Sequence, residues 1–222
     1  MKNAELVTFG GSGLDRAAEL RSDEIALRTA FAKAPILLVW KGKPLVREAP
    51  GLELCWVDAS HTLVEGSDAH VVLLGRDQKG QPLFAYDASA WDPQGQDSAS
   101  LGGFLDTTEQ VPPSVPTGAR FAELRVIMTQ LSPRDAELAA SAKGIIEWHR
   151  GHAFCAKCGA RSLVADAGWS RTCPSCGARH FPRTDPVVIM LVTRGNSVLV
   201  GRSPGWPDGM YSLLAGFVEP GE

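Results

Sequence analysis

Cys155-Ala156-Lys157-Cys158-Gly159 and Cys173-Pro174-Ser175-Cys176-Gly177 decide the reading of this chain. In each run two thiols stand three positions apart, so one turn can aim both sulfurs at a common centre. A glycine follows where the backbone has to tighten. Two such turns, with fourteen residues between them, supply four thiolates to one tetrahedral site. Four protein ligands leave no open position, so the expected metal is a zinc that holds structure rather than performing chemistry. A redox pair needs only one C-x-x-C in a βαβ setting, and iron–sulfur clusters use other spacings. The fifth cysteine, Cys55, stands alone in an apolar stretch and reads as a small buried hydrophobe. An odd count with tight pairs suits a reducing compartment rather than a disulfide framework.

Around the thiols, Arg150 to Arg183 holds six Lys or Arg and one acid, Asp166. This cluster faces either phosphate and RNA or plain solvent, and the solvated surface is the more common case. With four cysteines present, His149, His152 and His180 read as packing or surface groups, and Trp169 as a ribbon core residue.

Upstream the pattern is mixed α/β. Leu14 to Phe31 has helical spacing with a break at Ser22-Asp23, a fresh N-cap signal. Ile36 to Trp40 reads as a buried strand, turning at Lys41-Gly42-Lys43 into Pro44-Leu45-Val46. A similar phrase returns as Val71 to Leu74, a turn at Arg76 to Gln81, then Pro82 to Tyr86. Either one hairpin is used twice in one sheet, or two hairpins share common turn chemistry. Asp92 to Gly103 and Val111 to Pro116 are loops, and Phe121 to Met128 is a short helix. Ser132-Pro133-Arg134-Asp135 starts a helix, with Ser as N-cap, Pro at N1 and an acid at N3. Ala136, Ala139, Ile145, Ile146 and Trp148 give that helix its apolar face. Downstream, Pro186 to Val192 is an apolar strand, Asn196 a turn, Val198 to Val200 its antiparallel partner, and Tyr211 to Leu214 a further short strand.

The 222 residues exceed one small domain, and 44% hydrophobic with 21% charged residues is ordinary for a soluble globular protein. A net charge of −3 argues against a generic nucleic-acid binder, which needs a basic surface. The longest apolar run, Pro35 to Trp40, is strand-sized, and Met1-Lys2-Asn3-Ala4-Glu5 has no secretory apolar core. A cytoplasmic protein without a membrane partner is expected.

The chain closes on Leu213-Leu214-Ala215-Gly216-Phe217-Val218-Glu219-Pro220-Gly221-Glu222. Gly216 and Glu222 carry the G-x5-E opening of the Nudix box. The order of four-cysteine ribbon, His180-Phe181-Pro182-Arg183-Thr184-Asp185-Pro186, apolar hairpin and Gly-to-Glu loop resembles the NADH pyrophosphatase branch of the Nudix hydrolases. The resemblance runs from about Phe121 to Glu222 and is looser over the first 110 residues. It implies an α+β multi-domain chain: a Nudix-like α/β domain over 1–130, a linker helix over 131–152, a zinc ribbon over 153–182, and over 183–222 the first strands of an α/β/α Nudix sandwich.

Members of this branch hydrolyse the diphosphate of NADH or NAD+ to nicotinamide mononucleotide and AMP, some remove NAD caps from RNA, and they are commonly homodimers. They use Mg2+ or Mn2+, which neutralises the diphosphate and activates a water. Carried over by position, the Ala215 carbonyl and Glu222 would serve the catalytic metal, Phe217 would stack on a substrate ring, Phe181 would stand at the base or nicotinamide wall, and Arg125 would reach substrate. Phe181 and Phe217 also fit simple core packing, and Arg125 a surface ion pair. Two departures stand out. Gly168 occupies the place before the ribbon tryptophan where some members carry a substrate-contacting acid. The chain also stops at Glu222, ahead of the REUXEE helix and the S-Q-P-W-P-F-P segment. The expectation is therefore that the 222-residue chain is inactive, and that an active counterpart is on the order of a hundred residues longer. The rival readings are a zinc-ribbon module that binds RNA or protein without catalysis, and a fragment whose ribbon builds a dimer interface.

Overall fold

The computed structural model describes residues 7–64, 71–93 and 106–222. The expected loop at Asp92 to Gly103 falls outside these from residue 94 onward. The chain is α+β and forms two compact units, one running to Pro182 and one comprising Arg183–Glu222.

The first unit is built on a seven-stranded sheet. Strand β1 (Ile36–Trp40) is buried at every residue because both of its faces are covered, which is why its sequence is apolar throughout rather than alternating. Leu37 and Val39 join one core cluster, and Ile36, Leu38 and Trp40 the other. A two-residue turn, Lys41-Gly42, returns the chain as β2 (Lys43–Glu48), which pairs with β3 (Leu52–Leu54). Short β4 (Trp56–Val57) pairs with the start of β1. The second hairpin is β5 (Val71–Arg76) and β6 (Pro82–Asp87), and β6 runs parallel to β1. The inner strand is thus the first of one hairpin and the second of the other. The second turn is also longer, and β5 carries a register shift between Leu73 and Gly75. The two hairpins share one sheet and similar turn residues, but they are not copies of one unit.

Helix α1 (Glu24–Phe31) starts where expected: the Asp23 side chain accepts from the Ala26 amide at 2.9 Å. Phe121 departs from expectation. It ends strand β7 (Ala119–Phe121), paired to β2, and only Leu124–Ile127 is helical, as α2. The sheet claims Phe121 because its ring stacks on Trp40, 6.0 Å between centroids, inside the second cluster. Helix α3 (Pro133–Gly151) begins with Ser132 Oγ accepting from the Asp135 amide at 3.1 Å. Seven of its side chains are buried, Leu138 and Ala142 joining the five of its apolar stripe, and all of these but Trp148 pack in the first core cluster.

The ribbon belongs to this same unit. Its sheet is β8 (Leu163–Ala165), β9 (Ser170–Thr172) and β10 (Arg179–His180). Trp169 is not ribbon core. Its indole N–H donates to the Leu73 carbonyl at 2.7 Å and its ring packs on the first cluster, so it fastens the ribbon to edge strand β5. An edge carbonyl that would otherwise invite foreign pairing is thereby covered. Gly168 sits beside it at φ 93°, and an added Cβ would lie 2.9 Å from the Val71 carbonyl oxygen and 2.9 Å from Val72 Cγ2. A side chain at this position would press on the Val71 backbone and Val72, so the packing here suits glycine. Gly168→Ala is expected to cost about 2–5 kcal/mol, the sum of a left-handed backbone penalty and overpacking. Urea unfolding followed by tryptophan fluorescence measures it, and a loss below roughly 1 kcal/mol would contradict the tight docking.

In the second unit β11 (Val187–Met190) pairs with β14 (Leu214–Phe217), from Val187 opposite Phe217 to Met190 opposite Leu214. The expected partner, Val198–Val200, pairs further along. Strands β12 (Thr193–Arg194) and β13 (Ser197–Val198) form a small hairpin, extended by Leu199 N–H to the Val192 carbonyl at 3.0 Å, after which Gly201 bridges to Ser212. The strand expected at Tyr211–Leu214 accordingly starts at Leu214. Every residue of β11 and β14 is exposed among the described residues, although the run is as apolar as β1.

Candidate functional site

The two cysteine turns are built alike. Cys155 N–H donates to the Ala160 carbonyl and Gly159 N–H to the Cys155 carbonyl, at 2.8 and 2.9 Å. Cys173 repeats this with Ala178 and Gly177, both at 2.9 Å. Gly159 and Gly177 take φ 77° and 70°, the left-handed turn each knuckle needs. The geometry brings Cys155 Sγ to 3.7 Å from Cys176 Sγ, and Cys158 Sγ to 3.5 Å from Cys173 Sγ, with all four ligand atoms within 4.8 Å of one another. A Zn–S bond near 2.3 Å gives tetrahedral sulfur separations of roughly 3.8 Å, so the four thiols fit zinc without rearrangement. The Lys157 amide donates to Cys155 Sγ at 3.4 Å, and His180 Nε2 lies 3.3 Å from the same sulfur. His180 is therefore more than a surface group. The available signal was its position four residues after Cys176, where β10 returns past the first knuckle.

His149 does pack, as expected. Arg171, buried, donates through Nε and Nη2 to Ser162 and through Nη1 to His149 Nδ1 at 3.1 Å. That leaves His149 Nε2 to carry the proton and donate to the Gly168 carbonyl at 2.8 Å. Burial pushes the imidazole pKa down to about 4, the Gly168 carbonyl opposing and the Arg171 charge assisting. The His152 ring bonds the Trp148 carbonyl at 3.1 Å. The basic cluster is largely consumed internally: Arg171 is buried, Arg150 pairs with Glu147, Arg179 with Asp166 and Arg183 with Asp185. Cys55 is buried, and burial raises its thiol pKa.

Ala215, Phe217 and Glu222 share the strand and turn that close the second unit. Ala215 stands opposite Ile189 on β14. Phe217 is 73% exposed, and its β14 and β11 neighbours are exposed to a lesser degree. Val218 N–H bonds the Pro186 carbonyl at 3.0 Å, joining the two loops around a groove of about 800 Å³ lined by Arg183, Pro186, Phe217 and Glu219. The Glu222 carboxylate accepts from the Glu219 amide at 2.8 Å, and the Glu222 amide donates to the Glu219 carbonyl at 3.1 Å. Together the two bonds close a tight turn from Glu219 to Glu222. In the first unit, Phe181 is 60% exposed beneath the Arg179 guanidinium, 5.3 Å from its centroid, and Arg125 is exposed on α2.

Residues 33–148 match the model of the NADH pyrophosphatase-like rudimentary NUDIX domain, and residues 150–181 that of the NADH pyrophosphatase zinc ribbon domain. The first match alone covers more than half of the chain, and the chain therefore belongs to the NADH pyrophosphatase branch of the Nudix hydrolases. It is 33% identical over 217 residues to the NAD(P)H pyrophosphatase NUDT13, mitochondrial, of Homo sapiens, covering 92% of this chain and 58% of the relative. It is 34% identical over 211 residues to the NAD-capped RNA hydrolase NudC of Mycobacterium tuberculosis H37Rv, covering 95% and 60%. A shorter match, 45% over 112 residues, is to NudC of Stutzerimonas stutzeri A1501, covering 50% of this chain and 40% of that protein. The chain thus spans about 40–60% of the length of these relatives. The four-cysteine cluster is the structural zinc site of the ribbon. No helix among the described residues is long and apolar enough to cross a membrane.

Proposed function

We propose that this chain is part of an enzyme that hydrolyses the diphosphate of NADH or NAD+ to nicotinamide mononucleotide and AMP, with NAD-capped RNA as a further substrate. The observation that carries the reading is the succession, in one polypeptide, of the rudimentary Nudix match, the ribbon match and a Gly216-to-Glu222 loop folded around an open groove. The names of its relatives, NAD-capped RNA hydrolase and NAD(P)H pyrophosphatase, support it. Zinc is held by Cys155, Cys158, Cys173 and Cys176. Mg2+ or Mn2+, when bound, neutralises the diphosphate and activates water. The Ala215 carbonyl and Glu222 help hold that ion, the exposed Phe217 ring stacks on a substrate base, and Phe181 and Arg125 contact substrate. We further propose a cytoplasmic homodimer that engages no membrane, with domains at 1–130, 131–152, 153–182 and 183–222.

The test is NADH turnover with Mg2+ or Mn2+ by the protein encoded by the complete gene, with nicotinamide mononucleotide and AMP resolved chromatographically. Glu222→Gln is expected to lower kcat by about a hundredfold or more, and Phe217→Ala to raise KM with a smaller effect on kcat. Absence of dinucleotide hydrolysis, or an unaltered rate in Glu222→Gln, would overturn the assignment.

A further inference from the structure

The ribbon turns one face of its sheet outward. Phe154 stands opposite Arg161 in an isolated antiparallel bridge, Leu163 opposite Thr172, and Thr172 opposite Arg179. Directly opposed residues share a face, and so do residues two apart along a strand. Phe154, Arg161, Leu163, Thr172, Arg179 and Phe181 therefore lie on one side, with the two rings at opposite corners. Ser162, Arg171 and His180 lie on the other side, where buried Arg171 bonds Ser162 and His149 of α3.

Exposure follows the same alternation. Phe154 is 64% exposed, Leu163 59% and Phe181 60%, and Arg161 and Arg179 are exposed beside them. None of the residues on this face is an acid. Asp166, the one acid between Arg150 and Arg183, is already engaged by Arg179 and Ser170. Arg161, and Lys157 in the knuckle after Phe154, are exposed and make no ion pair among the described residues. Exposed rings interleaved with cations on an open sheet suit unpaired bases, which stack on the rings while the phosphates meet the cations. An apolar protein partner would leave Arg161 and Lys157 without acceptors, whereas a phosphodiester chain supplies them. The net charge of −3 keeps long-range attraction weak, so stacking carries more of the affinity than charge does.

We propose that this face binds single-stranded RNA, running from Phe181 to Phe154, with the Phe154 ring stacked on a base and Arg161 on a backbone phosphate. The choice of occupant rests on the reading of NAD-capped RNA as a substrate: the face holds nucleotides that follow the cap. Uncapped RNA binds here as well, so binding is read without turnover, and loss of this proposal leaves the hydrolysis of NADH untouched.

Fluorescence anisotropy of a dye-labelled, unstructured, uncapped RNA oligonucleotide, titrated with the zinc-loaded 222-residue chain, tests it. Saturable binding that weakens as salt rises is expected. Phe154→Ala should weaken it by about fivefold or more, and Phe154→Tyr should retain it, since either ring stacks on a base. Arg161→Ala should weaken it and lower the slope of log affinity against log salt by about one, while Arg161→Lys keeps the slope. Lys79→Ala, exposed in the turn between β5 and β6, should leave the affinity unchanged. No saturable binding by the parent chain, unchanged affinity in Phe154→Ala or Arg161→Ala, or an equal loss in Lys79→Ala would overturn the proposal. So would a Phe154→Ala chain that passes from dimer to monomer in light scattering while binding RNA as before, because the face would then be a contact between copies.

Discussion

Cys173→Ser is expected to abolish zinc retention and unfold residues 153–181 while the sheet of β1 to β7 remains folded. Cys173 is the most deeply buried of the four ligands at 1% exposure, and its sulfur stands 3.5 Å from that of Cys158. The ribbon consists of three strands of two or three residues each. A segment this short has too little core to hold itself together without its metal. In small zinc-binding peptides the metal contributes about 10–16 kcal/mol of apparent folding free energy near neutral pH. The sheet, in contrast, carries two apolar clusters that depend on α3 and α1 rather than on thiolates. It should still weaken, by about 1–3 kcal/mol, because the Leu73 carbonyl and the surface under Trp169 become exposed. Hydrogen exchange by peptide should show loss of protection across 153–181 with protection kept across 36–40. Equal loss in both regions would mean that the ribbon metal holds the whole unit together.

Lys43→Met is expected to destabilise the first unit by about 3–5 kcal/mol, because it strands a buried carboxylate. Lys43 is buried at the start of β2, and its ammonium meets Thr108 O at 2.6 Å, Thr108 Oγ1 at 2.8 Å and Asp106 Oδ2 at 3.0 Å. Three acceptors thus satisfy the three donors of the ammonium. Asp106 also accepts from the Thr108 amide and hydroxyl. Burial acts to raise its pKa, but these bonds and the Lys43 charge outweigh it and leave the pKa lowered. A carboxylate whose folded pKa lies below its unfolded value adds stability above that unfolded value, and the stability fades as pH falls through the folded one. The gap between wild type and Lys43→Met should therefore narrow in acid. The double variant Lys43→Met/Asp106→Leu should recover most of the loss, since replacing both partners by apolar groups removes the stranded charge. Urea midpoints for the single and double variants measure this. A single-variant cost near zero would show that the pair is solvated.

Local physics made much of this fold legible. Ile36 to Trp40 announces a strand covered on both faces, Asp23 and Ser132 announce their helices through cap chemistry, and paired thiols announce a metal through spacing alone. What sequence could not supply was partnership between distant segments. Phe121 has the surroundings of a helix start but is held in the sheet by Trp40, eighty-one positions earlier in the chain. Val187 to Met190 is an obvious strand, yet Leu214–Phe217 takes its pairing rather than the nearer Val198–Val200. Trp169 looks like ribbon core until Leu73 supplies its acceptor. At the candidate catalytic loop, the resemblance named Ala215, Phe217 and Glu222 by position. The structure adds that Phe217 is exposed beside a groove and that Glu222 closes its turn onto the Glu219 amide.

X-ray absorption at the zinc edge of the purified chain tests the metal centre on which the ribbon rests. One zinc per chain with four sulfur neighbours near 2.3 Å is the expected result. A shell of three sulfurs and one nitrogen would make His180 a ligand in place of Cys155, and that shell, or a chain that retains no zinc, would contradict the four-thiolate site.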